Sequence, residues 1–208
     1  MPKNLTDEDV AKFRDRLCDV AEHLFAEHGA EAVTIRQLAG ALGVSAMTPY
    51  RYFKDKDAIL AAVRARAFDR HAEALEAARR APDLDPARRA ETIGRAYVRF
   101  ALENPEAYKL MFDIRQSGEE AYPELVAAGE RSRRMMTRHL EEMAAAGVLK
   151  QDPRLVGHMF WAALHGPIML SFSGMLEGAY DIGLLSDSLM EALGRGVFGL
   201  PPAGTQTF

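Results

Sequence analysis

The chain has one cysteine, Cys18, in 208 residues. No internal disulfide can form, and nothing marks an oxidising compartment. It has no excess of positive charge: the formal net charge is −4 and the pI about 5.9. That excludes a polycation coating nucleic acid, so any such contact must come from a local basic patch. A long uninterrupted apolar run is also missing. The longest, around 159–172, is broken by His165, Gly166, Pro167 and Ser171 and reads as too short to span a bilayer. The opening MPKNLTDEDV lacks the apolar centre of a signal peptide. These absences predict a soluble cytoplasmic protein with no membrane partner. β-Branched residues are few, and no stretch alternates apolar with polar over a useful length. Sheet is therefore not expected.

What is present favours helix. Ala, Leu, Arg, Glu and Met dominate. An apolar fraction of 48% and a charged fraction of 27% are ordinary for a globular chain. Its length allows one large domain or two small ones with a real core. Thr6 followed by Asp9 reads as a helix N-cap, and Phe13, Leu17, Val20, Ala21, Leu24 and Phe25 recur at helical spacing up to a stop at Gly29. Thr34 caps a second helix to about Leu42, and Gly43 makes a turn. Ser45 caps a third, roughly Ala46 to Phe53, with Pro49 in its first turn. Asp55 caps a fourth from Lys56 to about Arg80. A linker, Ala81 to Pro86, precedes helices at about 86–103, 105–113, 121–146, 153–176 and 183–197. The expected fold is all-α with about nine helices: an N-terminal three-helix unit (1–56), a connecting helix (56–80) within a larger bundle (57–200), and a flexible tail (201–208).

Residues 34–60, TIRQLAGALGVSAMTPYRYFKDKDAIL, carry the strongest functional signal. The third helix is too short to bury much and is rich in polar and aromatic groups. Between residues 34 and 56, Arg36, Arg51, Lys54 and Lys56 stand against one acid, Asp55. A major-groove reader needs a short helix entered from its N-terminal end and propped by another. It also needs hydroxyls, helix N-termini and cations to grip phosphates. Thr34 and Ser45 stand at helix N-termini, Thr48, Tyr50 and Tyr52 offer hydroxyls, and Lys56 starts the next helix. Ala46 and Met47 suit thymine methyls. A helical hairpin packed for its own sake would look similar, with Tyr50-Arg51-Tyr52-Phe53 as packing.

The register Thr34, Ala39, Gly43-Val44-Ser45, Thr48, Tyr50, Tyr52-Phe53, Lys56, Leu60, preceded by Leu24-Phe25 and Gly29, strongly resembles the helix-turn-helix signature of the TetR family of bacterial repressors. The resemblance covers residues 10 to 62. It implies that Ala46, Met47, Thr48 and Tyr50 face the groove. Thr34, Arg36, Ser45, Tyr50, Tyr52 and Lys56 hold the backbone, with Arg51 a cation at the edge. Val33, Leu38, Ala39, Leu42, Val44 and Phe53 would form the three-helix core. Met47 stands where the family often has Gly, and Pro49 where it has another apolar residue, so no relative's operator transfers. Cys18 reads as a buried core thiol.

The C-terminal half is rich in Met and aromatic residues. Tyr97, Phe100, Tyr108, Met111 and Phe112 are candidate ligand contacts, as are Met135, His139, Met143, Trp161 and His165. A plain helical core is the alternative for each. Phe160-Trp161-Ala162-Ala163-Leu164-His165-Gly166 resembles the Trp-x-x-x-His-Gly segment of the WHG domain found behind TetR-type readers, over roughly 86–196. Trp161 and His165 share a helix face, as a ligand contact or as a pair locking the helix. His158 and His165 also share a face, but no further ligand completes a metal set, so no metal or cofactor is expected. Ser171, Ser173, His165 and Asp181 lack any G-x-S-x-G elbow, which argues against a hydrolase.

Two-fold operators require two reading heads. Met159, Leu164, Ile168 and Phe172, with Leu185, Leu189 and Leu193, are the candidate dimer face of a four-helix interface. The resemblance implies an Ω-like homodimer, bound to double-stranded operator DNA and released by an apolar or amphipathic effector. The alternative is a helical ligand-binding protein with a vestigial reader.

Overall fold

The computed structural model describes residues 6–82, 84–112, 118–176, 178 and 180–198. Among these the regular structure is helical throughout: α1 (Asp7–His28), α2 (Ile35–Ala41), α3 (Lys56–Arg79), α4 (Pro86–Glu103), α5 (Pro105–Met111), α6 (Pro123–Ala145), α7 (Pro153–Phe172) and α8 (Ile182–Phe198). Two short 3₁₀ turns, Pro49–Arg51 and Glu119–Ala121, complete it. The tail expected at 201–208 lies outside the described residues.

The sequence predicts nine helices and the described residues hold eight α-helices. The difference falls on 46–53. There Thr48 N–H donates to the Ser45 carbonyl (2.8 Å), Arg51 N–H to Thr48 (3.1 Å) and Tyr52 N–H to Pro49 (2.9 Å). These are i→i−3 bonds, the 3₁₀ pattern. Pro49 has no N–H to give the Ser45 carbonyl, so the α-helical bond at that step does not exist. Phe53 N–H reaches the Pro49 carbonyl at 3.0 Å, one α-type closure at the end.

The chain packs as two units. The first comprises residues up to Asp69 together with Asn104–Glu130. Thr6 and Asp9 form a capping box, with Asp9 N–H to Thr6 Oγ1 and Thr6 N–H to Asp9 Oδ2 both at 3.1 Å. Thr34 and Gln37 do the same for α2. Each such cap contributes about 1 kcal/mol. Gly43 turns the chain at φ 68°, left-handed backbone that a residue with a Cβ adopts at a cost. That turn lets Val44 N–H close on the Ala39 carbonyl (3.0 Å). Leu17, Phe25, Val33, Leu38, Ile59 and Val63 fill the core, with Phe53 and with Leu110 from α5, which packs on α1. Buried Arg64 of α3 donates Nε–H to the Leu110 carbonyl (2.9 Å) and Nη2–H to Met111 (3.2 Å), and pairs with Glu119. It satisfies carbonyls that the end of a helix leaves open.

The second unit comprises Arg70–Glu103 and the chain from Arg131 on. There α7 packs against α8 and α4, and α4 against α8. Gly94 permits the approach of α4 to α8, and Gly157 that of α7 to α6. A Cβ on Gly94 would meet Met190 Sδ at 2.4 Å, and one on Gly157 would meet Thr137 Cγ2 at 2.6 Å. Arg89 of α4 straps the linker, donating to the carbonyls of Arg79, Ala81 (3.3 Å) and Leu84 (3.2 Å). Helix α7 is, by length and composition alone, apolar enough to cross a bilayer, which the broken run in the sequence hid; only 28% of its apolar 18-residue stretch is buried.

Candidate nucleic-acid interface and effector cleft

The 45–52 segment is a surface laid over a buried floor. Pro49 and Phe53 are buried beneath it, while Ser45, Ala46, Met47, Tyr50 and Arg51 are exposed. Met47 is 68% and Tyr50 50% exposed, values a core side chain of either type does not show. Thr48 is half-buried at the start of the 3₁₀ turn. Ser45 Oγ accepts from Met47 N–H at 3.4 Å, tightening the entry. Thr34 and Arg36 at the start of α2 are exposed, as is Lys54. Arg36, Arg51 and Lys54 have no ion pair among the described residues, so their charge is available to an outside anion.

Helix α1 fixes the far end of this segment. Phe13 stacks on Tyr52 with ring centroids 4.1 Å apart. Arg14 Nη1–H donates to the Tyr52 carbonyl (2.9 Å), and its guanidinium lies 4.2 Å from the Phe53 ring centroid. Sequence reasoning misses Arg14, because its partners lie almost forty residues away. Lys56 is half-buried and its Nζ donates to the carbonyls of Ala30 (2.6 Å) and Glu31 (3.0 Å). Two of its three donors thus hold the α1–α2 loop.

Cys18 is buried, and burial, only partly offset by Arg66, pushes its thiol pKa up. That is the opposite of a reactive thiolate.

In the second unit a cleft opens between α3, α4, α6 and α7. Its walls include Leu75, Tyr97, Met136, His139, Phe160 and Trp161. The space inside is ≈ 40 Å³, enough for small solvent but well short of a typical ligand pocket. An occupant must open it by moving side chains. Trp161 Nε1–H donates to Tyr97 Oη at 3.0 Å, a polar contact that joins α7 to α4. Beneath Tyr97 lies His71, fully buried, with its ring edge-on to Tyr97 (5.2 Å) and Phe100 (5.1 Å), and Nδ1 2.8 Å from Ser132 Oγ. Burial lowers the His71 pKa to about 4. His139 is lowered to about 4 as well, first by burial and then by the positive charges of Arg79 and Arg89. Both are neutral at pH 7.

A model of the family described as bacterial regulatory proteins, tetR family, matches residues 17–63. A second, described as tetracyclin repressor-like, C-terminal domain, matches residues 90–193, half of the chain. The chain belongs to the TetR family. Among relatives of this TetR-family chain, the HTH-type transcriptional repressor Rv1474c of Mycobacterium tuberculosis is 36% identical over 63 residues, 30% of this chain and 33% of that repressor. The chain thus matches about a third of that relative's length. Among solved structures, a protein of unknown function from Rhodococcus sp. RHA1 has 28% identity and a TM-score of 0.79, over 95% of this chain and 99% of that one. The regulator FadR from Bacillus subtilis, solved in complex with stearoyl-CoA, shares the fold at 20% identity and TM-score 0.73, over 88% and 98% of the two chains.

Within this TetR-family chain the candidate ligand contacts divide. Tyr97, His139 and Trp161 come together in the cleft. Phe100 is buried against His71 behind it, Met143 faces an outer groove, and Met135 and His165 are half-buried outside the cleft wall. Burial lowers the His165 pKa. Tyr108, Met111 and Phe112 belong to the other unit, at α5. Of the candidate dimer residues, Leu164 and Ile168 are buried within their own unit and are closed to a partner. Met159 is exposed, and Phe172, Leu185, Leu189 and Leu193 are half-buried. Leu155, Met169, Leu170 and Leu184, on the same two helices, are the exposed apolar groups.

Proposed function

We propose that this protein is a homodimeric, sequence-specific DNA-binding transcription regulator, a repressor released from its operator by an apolar or amphipathic small molecule, acting in the cytoplasm. One observation supports the DNA role most strongly: exposed Ser45, Ala46, Met47, Tyr50 and Arg51 stand on buried Pro49 and Phe53, flanked by Arg36 and Lys54, which have no ion pair among the described residues. In this reading Ala46, Met47, Thr48 and Tyr50 meet base edges. Thr34, Arg36, Ser45, Arg51 and Tyr52 hold phosphates. Lys56 reaches the phosphate backbone with the one donor its loop contacts leave over. The exposed apolar groups of α7 and α8, Leu155, Met159, Met169, Leu170 and Leu184, form the partner face, with Leu185, Leu189 and Leu193 at its edge. That role also accounts for a helix as apolar as α7 outside a membrane.

Release is a linkage effect: an occupant that favours an opened cleft favours a conformer with lower operator affinity. Helix α3 is the lever, because it starts at Lys56 and carries Leu75 of the cleft wall. The FadR regulator with stearoyl-CoA lends support to an amphipathic effector in this fold. Selection of genomic DNA fragments by the purified protein tests the reading. The expected result is enrichment of a two-fold symmetric sequence; recovery without sequence preference would indicate a vestigial reader.

A further inference from the structure

His139 stands in two walls at once. It lines the inner cleft with Tyr97 and Trp161, and it lines an outer groove of ≈ 210 Å³ with Leu84, Arg89, Glu142 and Met143. The imidazole is therefore the partition between an apolar cleft and a wider, partly polar mouth. It is 7% exposed, and its Nδ1 has no hydrogen-bond partner among the described residues. A buried polar nitrogen left unpaired costs free energy that a bound group can restore.

The charge around the mouth is uneven. Glu142 is neutralised by Arg79 (3.2 Å) and Arg138 (3.4 Å). Arg79 also pairs with Glu76 at 2.8 Å. Arg89 donates only to main-chain carbonyls and has no carboxylate partner among the described residues. Its positive charge is uncompensated, which fits the downward push that Arg79 and Arg89 exert on the His139 pKa. The imidazole is neutral at pH 7 and can donate one N–H. Among the described residues the inner cleft has no charged wall residue, and its Tyr97 hydroxyl already accepts from Trp161.

We propose that the effector is a slender amphipathic monocarboxylate: its apolar body enters the Trp161 cleft, and its carboxylate is held at the mouth by His139 and Arg89. The inference rests on the reading of this unit as the effector-binding part of a regulator and names the chemical class. A carboxylate accepts from His139 and answers Arg89 together. An alcohol can do only the first, and an ammonium meets two guanidinium groups. The inner space of ≈ 40 Å³ admits an occupant only by displacing side chains, and a slender body displaces the fewest. His139 must swing for the body to pass, which makes it a selectivity residue as well as a contact.

Trp161 is the chain's sole tryptophan, so its emission reports on the cleft directly. The full-length protein is titrated with octanoate, 1-octanol and octylamine. Octanoate is expected to give a saturable change, with affinity about tenfold or more above octanol and octylamine weaker still. Arg89→Met should erase the preference for octanoate over octanol. Because Arg89 also straps the linker, His139→Phe is the second variant, expected to abolish the octanoate response by sealing the passage. Equal or tighter binding of octanol or octylamine, no saturable change with any of the three, or an unaltered octanoate preference in both variants overturns the proposal. DNA binding by the same preparation, measured without any added acid, separates the two claims. Sequence-selective binding with no carboxylate preference overturns the effector class alone, whereas loss of selective DNA binding strikes the regulator reading itself.

Discussion

The indole N–H of Trp161 donates to the hydroxyl of Tyr97 at 3.0 Å, tying α7 to α4 across the cleft wall. The same Tyr97 ring rests edge-on against His71 of α3, 5.2 Å between centroids. Three helices thus meet at one tyrosine. Tyr97→Phe removes the hydroxyl that accepts from the indole N–H at a half-buried site. The expected cost is about 1 kcal/mol of stability, read from urea denaturation, with an altered Trp161 emission in the folded protein. Unchanged stability and emission would mean the bond contributes nothing in solution.

The two buried histidines set an acid limit. His71 and His139 have folded pKa values of about 4, against 6.5 for an ordinary imidazole. Below pH 6.5 the unfolded chain takes up protons that the folded chain refuses, so stability falls as pH drops and the loss is complete near pH 4. Each contributes up to about 3 kcal/mol over that window. The Glu76 carboxyl, held at about 2 chiefly by Arg79, adds a loss only at lower pH. Denaturation midpoints between pH 7.5 and 4 check this, and a flat profile would contradict neutral burial.

Close helix packing gives a ranked pair. The Cβ added by Gly94→Ala falls nearer its neighbour than that of Gly157→Ala, 2.4 against 2.6 Å. The neighbour at Gly94 is the tip of Met190, which has three rotatable bonds, whereas at Gly157 it is the β-branched Thr137. Gly157→Ala should therefore cost more, about 2 kcal/mol, and Gly94→Ala under half of that. Thermal unfolding of the two variants tests the order.

Leu184 is 54% exposed on α8 and belongs to the proposed partner face. Leu184→Glu buries a charge if that face is covered. The variant should run as a monomer by light scattering at concentrations where the parent is dimeric.

Lys56 and Thr48 separate two kinds of contact. Lys56→Met should lose about 1 kcal/mol of stability, because its ammonium bonds two loop carbonyls, and should weaken all DNA sequences alike. Thr48→Ala should leave stability nearly unchanged and alter base preference. Operator mutant panels read by fluorescence anisotropy distinguish the two; identical profiles would dissolve the division.

Much of this was legible in the residues, because much of it is local. Thr6, Thr34 and Asp55 cap the helices they precede, and Pro86–Glu103 forms the helix expected at 86–103. Pro49 was visible, yet its consequence was not: a proline is tolerated in a first helical turn, and only the hydrogen-bond pattern shows a 3₁₀ turn in place of an α-helix. The apolar face of α7 could not be assigned from spacing, since this helix is apolar nearly all round. Leu164 and Ile168 turn inward while Met159 and Met169 turn out. Tyr108 and Met111 share the composition of the cleft but pack in the other unit, a long-range choice that composition does not encode.

The most direct test of the central claim is the affinity of the purified protein for its selected DNA fragment and for a shuffled fragment of equal length, at two salt concentrations. The account predicts a preference of about a thousandfold, with binding to both fragments falling as salt rises. Equal affinity for the two fragments at both salt concentrations would contradict it.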